Sequence, residues 1–525
     1  MSCAIQYDRK PESIIFVETD IRMSVVRRNV LANIAGRGWA ALISLAFVPI
    51  YIRFLGIEAF GLIGFFLSLY AIMSLFDLGL GTTLNRELAK MSSQSRSGRD
   101  MRDLLRTLEI AYWLIGILIG LTVAALAPAI AAHWIKAQQL SQHTVEQALL
   151  LMGIALACQW PIALYTGGLM GLQRQVLQNA ISATMITVRS AGAALVLWQV
   201  SATIEAFLVW QLASSLAETL INAIALWRSL PAETAPPRFR SQLVLGVWRF
   251  AAGVTGISAL AVILTQLDKV ILSNVLSLEM FGYYSLASRV AGALYYFINP
   301  VIATFFPRFS QLFALGDEQE LRRLYHRSCQ LMSVLILPPA IVLVLFSREL
   351  LFLWTQDRSI AENSYLVLSL LVAGNALNAL LSLPGALQLA YGWTRLMLVI
   401  NTASVLLLAP LIYFMSLYYG GVGAAIVWIL LNTGIMLVNQ NLMHRRLLQG
   451  ELWRWYRLDI GQPLVVTVAV AGVWKWLIPL TETVWSSLLN LILISAVTLA
   501  AAIIAAPEIR ILAMRWLTPA PHAAK

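Results

Sequence analysis

The chain has 525 residues, of which 59% are apolar and only 12% charged, with a mean hydropathy of +0.76 and a formal net charge of +11. Soluble proteins carry roughly 25% charged residues, so a soluble enzyme is excluded. A membrane β-barrel is excluded too, because its strands alternate residue by residue, whereas this chain runs in apolar blocks such as Ile110 to Ala132 and Leu331 to Phe346.

The first 29 residues read as a charged tail in which no apolar core leads to a small-residue cleavage site. Apolar blocks bounded by charge, Gly/Pro or Trp clusters then predict helices near 30–52, 59–80, 108–131, 148–172, 178–199 and 203–227. After a basic linker over 228–243, further helices are expected near 244–267, 281–306, 329–353, 363–390, 396–417 and 419–441. Segment 442–460, with Trp453, Trp455 and Tyr456 among arginines, reads as an interfacial helix. Helices near 461–479 and 485–506 precede a tail over 507–525.

These fourteen spans sort the basic residues. The side of the N-terminus holds 27 Lys and Arg outside the spans, and the other side holds only 4: Arg53, Lys136, Lys269 and Arg358. The positive-inside rule therefore puts both termini in the cytoplasm. Clusters such as Arg96, Arg99, Arg102 and Arg106 lie where anionic headgroups attract them, so the charge implies membrane lipids as partners and needs no nucleic acid. The longest loop on the other side, Ala132 to Gln147, has 16 residues and leaves no room for a lipid-linked sugar polymerase. Cys3, Cys158 and Cys329 are widely spaced and form no cluster with histidines, so neither a metal site nor a disulfide framework is expected. No GxxxxGK[ST] motif occurs, which excludes ATP hydrolysis by this chain and leaves no cofactor indicated.

Leu55-Gly-Ile-Glu58-Ala-Phe60-Gly61 recurs as Leu276-Ser-Leu-Glu279-Met-Phe281-Gly282, 221 residues later. The offset is six helices, an even number, so both copies keep one membrane orientation and an axis along the membrane normal relates them. The fold class expected is an all-α integral membrane protein of about fourteen transmembrane helices. Two pseudo-symmetric six-helix bundles, 30–227 and 244–441, flank a central cavity, with two helices appended.

Asn33, Pro49, Tyr51, Arg53-Phe-Leu-Gly56, Glu58, Phe60-Gly61, Asp77-Leu-Gly79 and Asn85-Arg86 resemble the opening of Wzx-type oligosaccharide flippases. These form part of the polysaccharide transporter family of the multidrug/oligosaccharidyl-lipid/polysaccharide exporter superfamily. The resemblance implies two bundles around a cationic cavity and no enzymatic reaction. It implies alternating-access transfer of a polyprenyl-diphosphate-linked oligosaccharide across the cell inner membrane, for O-antigen, capsule or exopolysaccharide synthesis. A polysaccharide polymerase and assembly proteins are the further partners it suggests.

Six basic residues lie inside the expected spans: Arg37, Arg189, Arg249, Arg289, Arg348 and Lys475. A central charge costs roughly 2.5–3.5 kcal/mol on insertion scales, so it seeks water or a partner. Arg249, Arg348 and Lys475 lie near interfaces and can snorkel. Arg289 belongs to a helical stripe with Ser285, Gly292, Tyr296 and Asn299, and Arg37 to one with Asn33 and Ser44. Arg189 faces two readings: pairing with Glu218 across neighbouring spans, or cavity function. Arg37, Arg289, Arg189 and Arg249 are the candidate substrate-binding residues, since guanidinium groups bind diphosphate oxygens two at a time. Asp77 and Glu218 are candidates for coupling or gating, with a plain helix-end role the alternative for Asp77. Span 10 adds the polar residues Asn375, Asn378 and Ser382. A multidrug/cation antiporter of the same superfamily is the alternative function, and a membrane polymerase a more distant one.

Overall fold

The computed structural model describes residues 32–77, 79–93, 98–240, 242, 259–478 and 484–517, apart from 34, 234 and 261. Arg249, the N-terminal tail, Arg96 and most of the helix expected at 244–267 lie outside the described residues. Apart from one bridge between Lys136 and Ser277, the regular structure described is helical. In chain order the helices are α1 (35–46), α2 (Val48–Met73), α3 (Leu80–Ser93), α4 (Gly98–His133), α5 (Gln142–Gln159), α6 (Ile162–Gly171), α7 (Gln175–Gln199) and α8 (Ile204–Ser229). Then come α9 (262–275), α10 (Leu278–Ala291), α11 (Tyr295–Leu315), α12 (Glu318–Leu345), α13 (Ser347–Thr355), α14 (Arg358–Ala390) and α15 (Thr394–Leu447). The short α16 (Leu452–Arg454) runs through a π-helical turn, Trp455–Gly461, into α17 (Gln462–Leu477), and α18 (Val484–Ala505) and α19 (Pro507–Leu517) end the chain's described part.

Eleven helical stretches among the described residues are long and apolar enough to cross a membrane. Two of these join neighbouring expected spans through a non-helical glycine: Gly56 (φ 80°) within α2 and Gly420 (φ 57°) within α15. A straight helix of 54 residues would reach roughly 80 Å at 1.5 Å per residue, far beyond a hydrocarbon core of about 30 Å. The chain therefore breaks at Gly420, in a backbone conformation that glycine adopts without a Cβ clash.

The second span, expected to run to residue 80, is broken just before that point. After α2 a 3₁₀ turn, Ser74–Asp77, and Gly79 (φ 69°) interrupt the helix, and α3 continues alongside α6. Gly81, Gly167 and Gly171 allow this contact: a Cβ on Gly167 would meet the Gly81 carbonyl oxygen at 2.4 Å, and one on Gly171 the Asn85 carbonyl oxygen at 2.4 Å. Small residues are how membrane helices bring their backbones together.

α3 to α8 pack chiefly on one another, and α10 to α15 likewise, with α17 and α18 laid on α12. The main junction between the two sets is α2 against α10. A buried polar network fixes the C-terminal helices. His326 Nδ1 meets Asp459 at 2.5 Å and its Nε2 meets Glu451 at 3.1 Å, while Gln330 donates to Asp459 and accepts from the Glu508 amide. Trp455, expected as an interfacial anchor, is fully buried beside His444 instead, because the π turn rotates it inward.

Candidate functional site

The α2–α10 junction is built from the sequence repeat itself. Ile57 and Leu278 are equivalent positions, as are Gly61 and Gly282. A Cβ on Gly61 would lie 2.5 Å from the Leu278 carbonyl oxygen, and one on Gly282 would lie 2.2 Å from the Ile57 carbonyl oxygen. The two copies thus pack reciprocally, as a two-fold axis between them requires. Neither glycine can gain a side chain without one helix moving away.

A loop braces this junction. The Glu58 carboxylate, 3% exposed, accepts from the amides of Gln138 at 2.5 Å and Gln139 at 2.8 Å. The same loop reaches α9 and α10: the Leu278 amide donates to the Lys136 carbonyl (2.9 Å), Lys136 Nζ to the Val275 carbonyl (3.1 Å), and Trp134 Nε1 to Ser273 Oγ (3.0 Å). These contacts lie on the face opposite the basic loops. Toward the basic face both helix lines emerge from packing, with Ser74, Phe76 and Thr82 exposed on one side and Tyr296, Phe297 and Asn299 on the other.

The intramembrane arginines divide by partner. Arg189 on α7 binds Glu218 on α8 at 2.5 Å, and its own carbonyl accepts from Trp210 Nε1 at 3.0 Å. Arg289 on α10 forms no hydrogen bond or ion pair with a described residue; its electrostatic neighbours are the hydroxyls of Tyr296 and Tyr51. Tyr51 Oη donates to the Ser190 carbonyl at 3.0 Å and lies in the fields of both Arg189 and Arg289. Arg289 as a whole is half-buried. Arg37 on α1 is exposed and likewise pairs with no described residue. Arg348 pairs with Glu362, and Lys475 caps the Leu345 carbonyl, as residues near an interface do.

The deep carboxylates are engaged. Asp77, at the helix break before α3, accepts from Tyr112 Oη. Glu109 accepts from Arg106 (2.8 Å), Tyr165 (2.7 Å) and Trp227 (3.2 Å), and Asp268 from Tyr284 (2.5 Å) and Lys269 (3.2 Å). Asp268 and Lys269 line a cavity of about 340 Å³ inside the C-terminal set with Ser288, Tyr295 and Asn375. Sequence reasoning missed this pair and Glu109; adjacent opposite charges at 268–269, so near a span end, read as a plain helix boundary.

The polar residues of span 10 bond within the C-terminal set. Asn375 donates to the Ala291 carbonyl (2.9 Å) and accepts from Trp428 (2.9 Å); Asn378 donates to Asn432 (2.9 Å) and accepts from Tyr295 (3.3 Å). A mostly apolar hollow of about 650 Å³ is lined by Leu45 of α1, Val290 of α10, Leu353 and Trp354 of α13, and Leu491 and Ile492 of α18.

Comparisons with known proteins agree with this architecture. The family model described as "Polysaccharide biosynthesis protein" matches residues 26–313, and the MatE model matches residues 255–414. A Shigella flexneri protein named "Putative O-antigen transporter" is 23% identical over 409 residues, covering 77% of this chain and 94% of its own length. Among solved structures, the lipid II flippase MurJ in an inward closed conformation superposes with a TM-score of 0.67 at 12% identity, over 93% of this chain and 99% of its own. An inward-facing multidrug resistance MATE family transporter superposes with a TM-score of 0.61 at 13% identity, over 77% of this chain and 95% of its own. Reciprocal packing of the repeat and a family match across more than half its length make this chain a member of the polysaccharide biosynthesis protein family.

Proposed function

We propose that this protein is a flippase that moves a polyprenyl-diphosphate-linked oligosaccharide across the cytoplasmic membrane by alternating access. The observation that carries the reading is the charge left over in the membrane. Arg289 lacks an acidic partner among the described residues, whereas Asp77, Glu109, Glu218 and Asp268 each hold donors. A cleft that presents a free guanidinium is complementary to an anion. An exporter of organic cations needs the reverse, a free carboxylate, and the engaged acids disfavour it.

Arg289, with Arg37 toward the basic face, would hold the diphosphate through bidentate hydrogen bonds; Arg249 remains a third candidate. Arg189 would act indirectly, its pair with Glu218 holding α7 and α8 so that Ser190 positions Tyr51 near Arg289. Glu218 and Asp77 are then positioning residues: one keeps that pair, the other the break in the second span, and movement at either would gate the cleft. The apolar hollow beside Val290 offers the prenyl tail a path along α18 while the sugars cross in the wet cleft. With the basic face in the cytoplasm, this conformation is closed to the outside.

Without the protein, cells should accumulate the lipid-linked oligosaccharide in the inner leaflet and lose their surface polysaccharide. Extraction of the lipid-linked pool from a depletion strain measures this. Normal surface polysaccharide with no accumulated intermediate would exclude the function.

A further inference from the structure

We infer that a neutral, carboxamide-lined groove in the C-terminal set binds uncharged sugar residues of the cargo, at a site separate from the arginines that hold the diphosphate. This rests on the flippase reading and names where the distal glycan goes. The groove is a cavity of about 430 Å³ between α11, α14 and both halves of α15. That volume falls in the roughly 300–1,000 Å³ range of small-molecule sites. Its polar lining is Asn378, Ser382, Gln388, Asn401 and Asn439, and no charged side chain contributes.

Hydrogen-bonding capacity is left unused here. Gln388 donates to Asn439 Oδ1 at 3.1 Å, yet its own Oε1 has no partner although the residue is 1% exposed. A buried amide oxygen without a donor is costly, a cost that a ligand hydroxyl reaching it relieves. Asn439 Nδ2 and the whole carboxamide of Asn401 form no bond to a described residue. Each carboxamide offers donors and an acceptor, the pairing that a sugar hydroxyl, itself both, can satisfy. Phe306 adds an apolar wall for a ring face. Carboxamides that only joined helices would spend their atoms on one another, as Asn378 and Asn432 do.

The groove's shape is also built into the chain. Gly385 sits on its wall in the last two turns of α14, directly after Pro384, and a Cβ there would meet nothing within 4 Å. Glycine within a helix is unfavourable relative to alanine, and no packing contact requires it at this position. It keeps the groove wide. Along α10 and α11, Arg289 and Ile302 are thirteen residues apart, roughly 20 Å at helical rise. A diphosphate at Arg289 therefore places distal sugars, not the first one, in the groove.

The test uses purified full-length protein and the oligosaccharide released by mild acid from the lipid-linked intermediates of the producing cells. Wild type and Arg289→Ala should be stabilised against heating by this free oligosaccharide, while Gly385→Leu and Asn401→Leu should lose the stabilisation. In reconstituted vesicles the two groove variants should transport the full lipid-linked oligosaccharide at least tenfold more slowly than wild type. A polyprenyl-diphosphate carrying one sugar should move at the wild-type rate. Wild-type binding and transport by both folded variants would overturn the proposal, as would equal loss for both carriers, or stabilisation by polyprenol without sugar. If wild type moves neither carrier but binds the free oligosaccharide in a Gly385-dependent way, the groove stands and the flippase reading falls.

Discussion

Arg289→Ala should cost roughly ten- to 150-fold in transport, because a hydrogen bond to a charged group contributes about 1.5–3 kcal/mol. It should do so without loss of folded protein. The guanidinium has no acidic partner among the described residues, so its removal leaves no orphaned charge and relieves a desolvated one. Arg189→Ala should behave oppositely. It strands Glu218, and breaking a buried pair from one side costs about 3–5 kcal/mol, a figure to be lowered here because both side chains keep some exposure. Thermal unfolding in detergent, read beside transport, separates the two: loss of transport with unchanged stability for Arg289→Ala, loss of stability for Arg189→Ala. Arg289→Lys should recover transport only in part, since an ammonium lacks the planar fork. Full transport by a folded Arg289→Ala protein would reduce Arg289 to a packing residue.

Gly282→Val should block transport by preventing closure of the face opposite the basic loops. Its Cβ would fall 2.2 Å from a backbone oxygen that no rotamer change can move. Overpacking of this kind costs about 1–3 kcal/mol, enough to bias a two-state equilibrium roughly 5- to 150-fold. The strain applies only where α2 and α10 touch. A single cysteine at Ser285, which faces Gly64 across the junction, should react with a membrane-impermeant thiol reagent from the outer face in the Gly282→Val background. In the parent it should react far more slowly. Equal reactivity and normal transport in both would show that this contact is not a gate.

The signature residues near Gly56, Glu58 and Gly61 were legible in the sequence because each carries a backbone or charge demand that few residue types meet. The repeat predicted equivalent places in the membrane, and the structure adds that the two copies touch, which an offset alone cannot say. The partners of Glu58 were hidden, since backbone amides of Gln138 and Gln139 carry no side-chain signal. Helical spacing found the polar faces of spans 8 and 10 but not their partners: Arg289 bonds to no described residue, while Asn375 and Asn378 bond to Ala291, Trp428 and Asn432. Hydropathy also merged Asp77 with a helix end, because the apolar content of α2 and the turn after it does not mark the 3₁₀ break in which Asp77 lies. The pairing of Arg189 with Glu218 was one of two readings open on the sequence, and the coordinates join them directly.

Transfer of a labelled polyprenyl-diphosphate-linked oligosaccharide in vesicles containing only the purified protein tests the central claim most directly. The vesicles are loaded with the substrate in both leaflets, and a membrane-impermeant oxidant attacks the glycans outside. Wild-type protein should expose nearly the whole pool, where protein-free vesicles and Arg289→Ala vesicles expose only the outer half. Protection of the inner half in wild-type vesicles, with the protein folded and correctly inserted, would contradict the account.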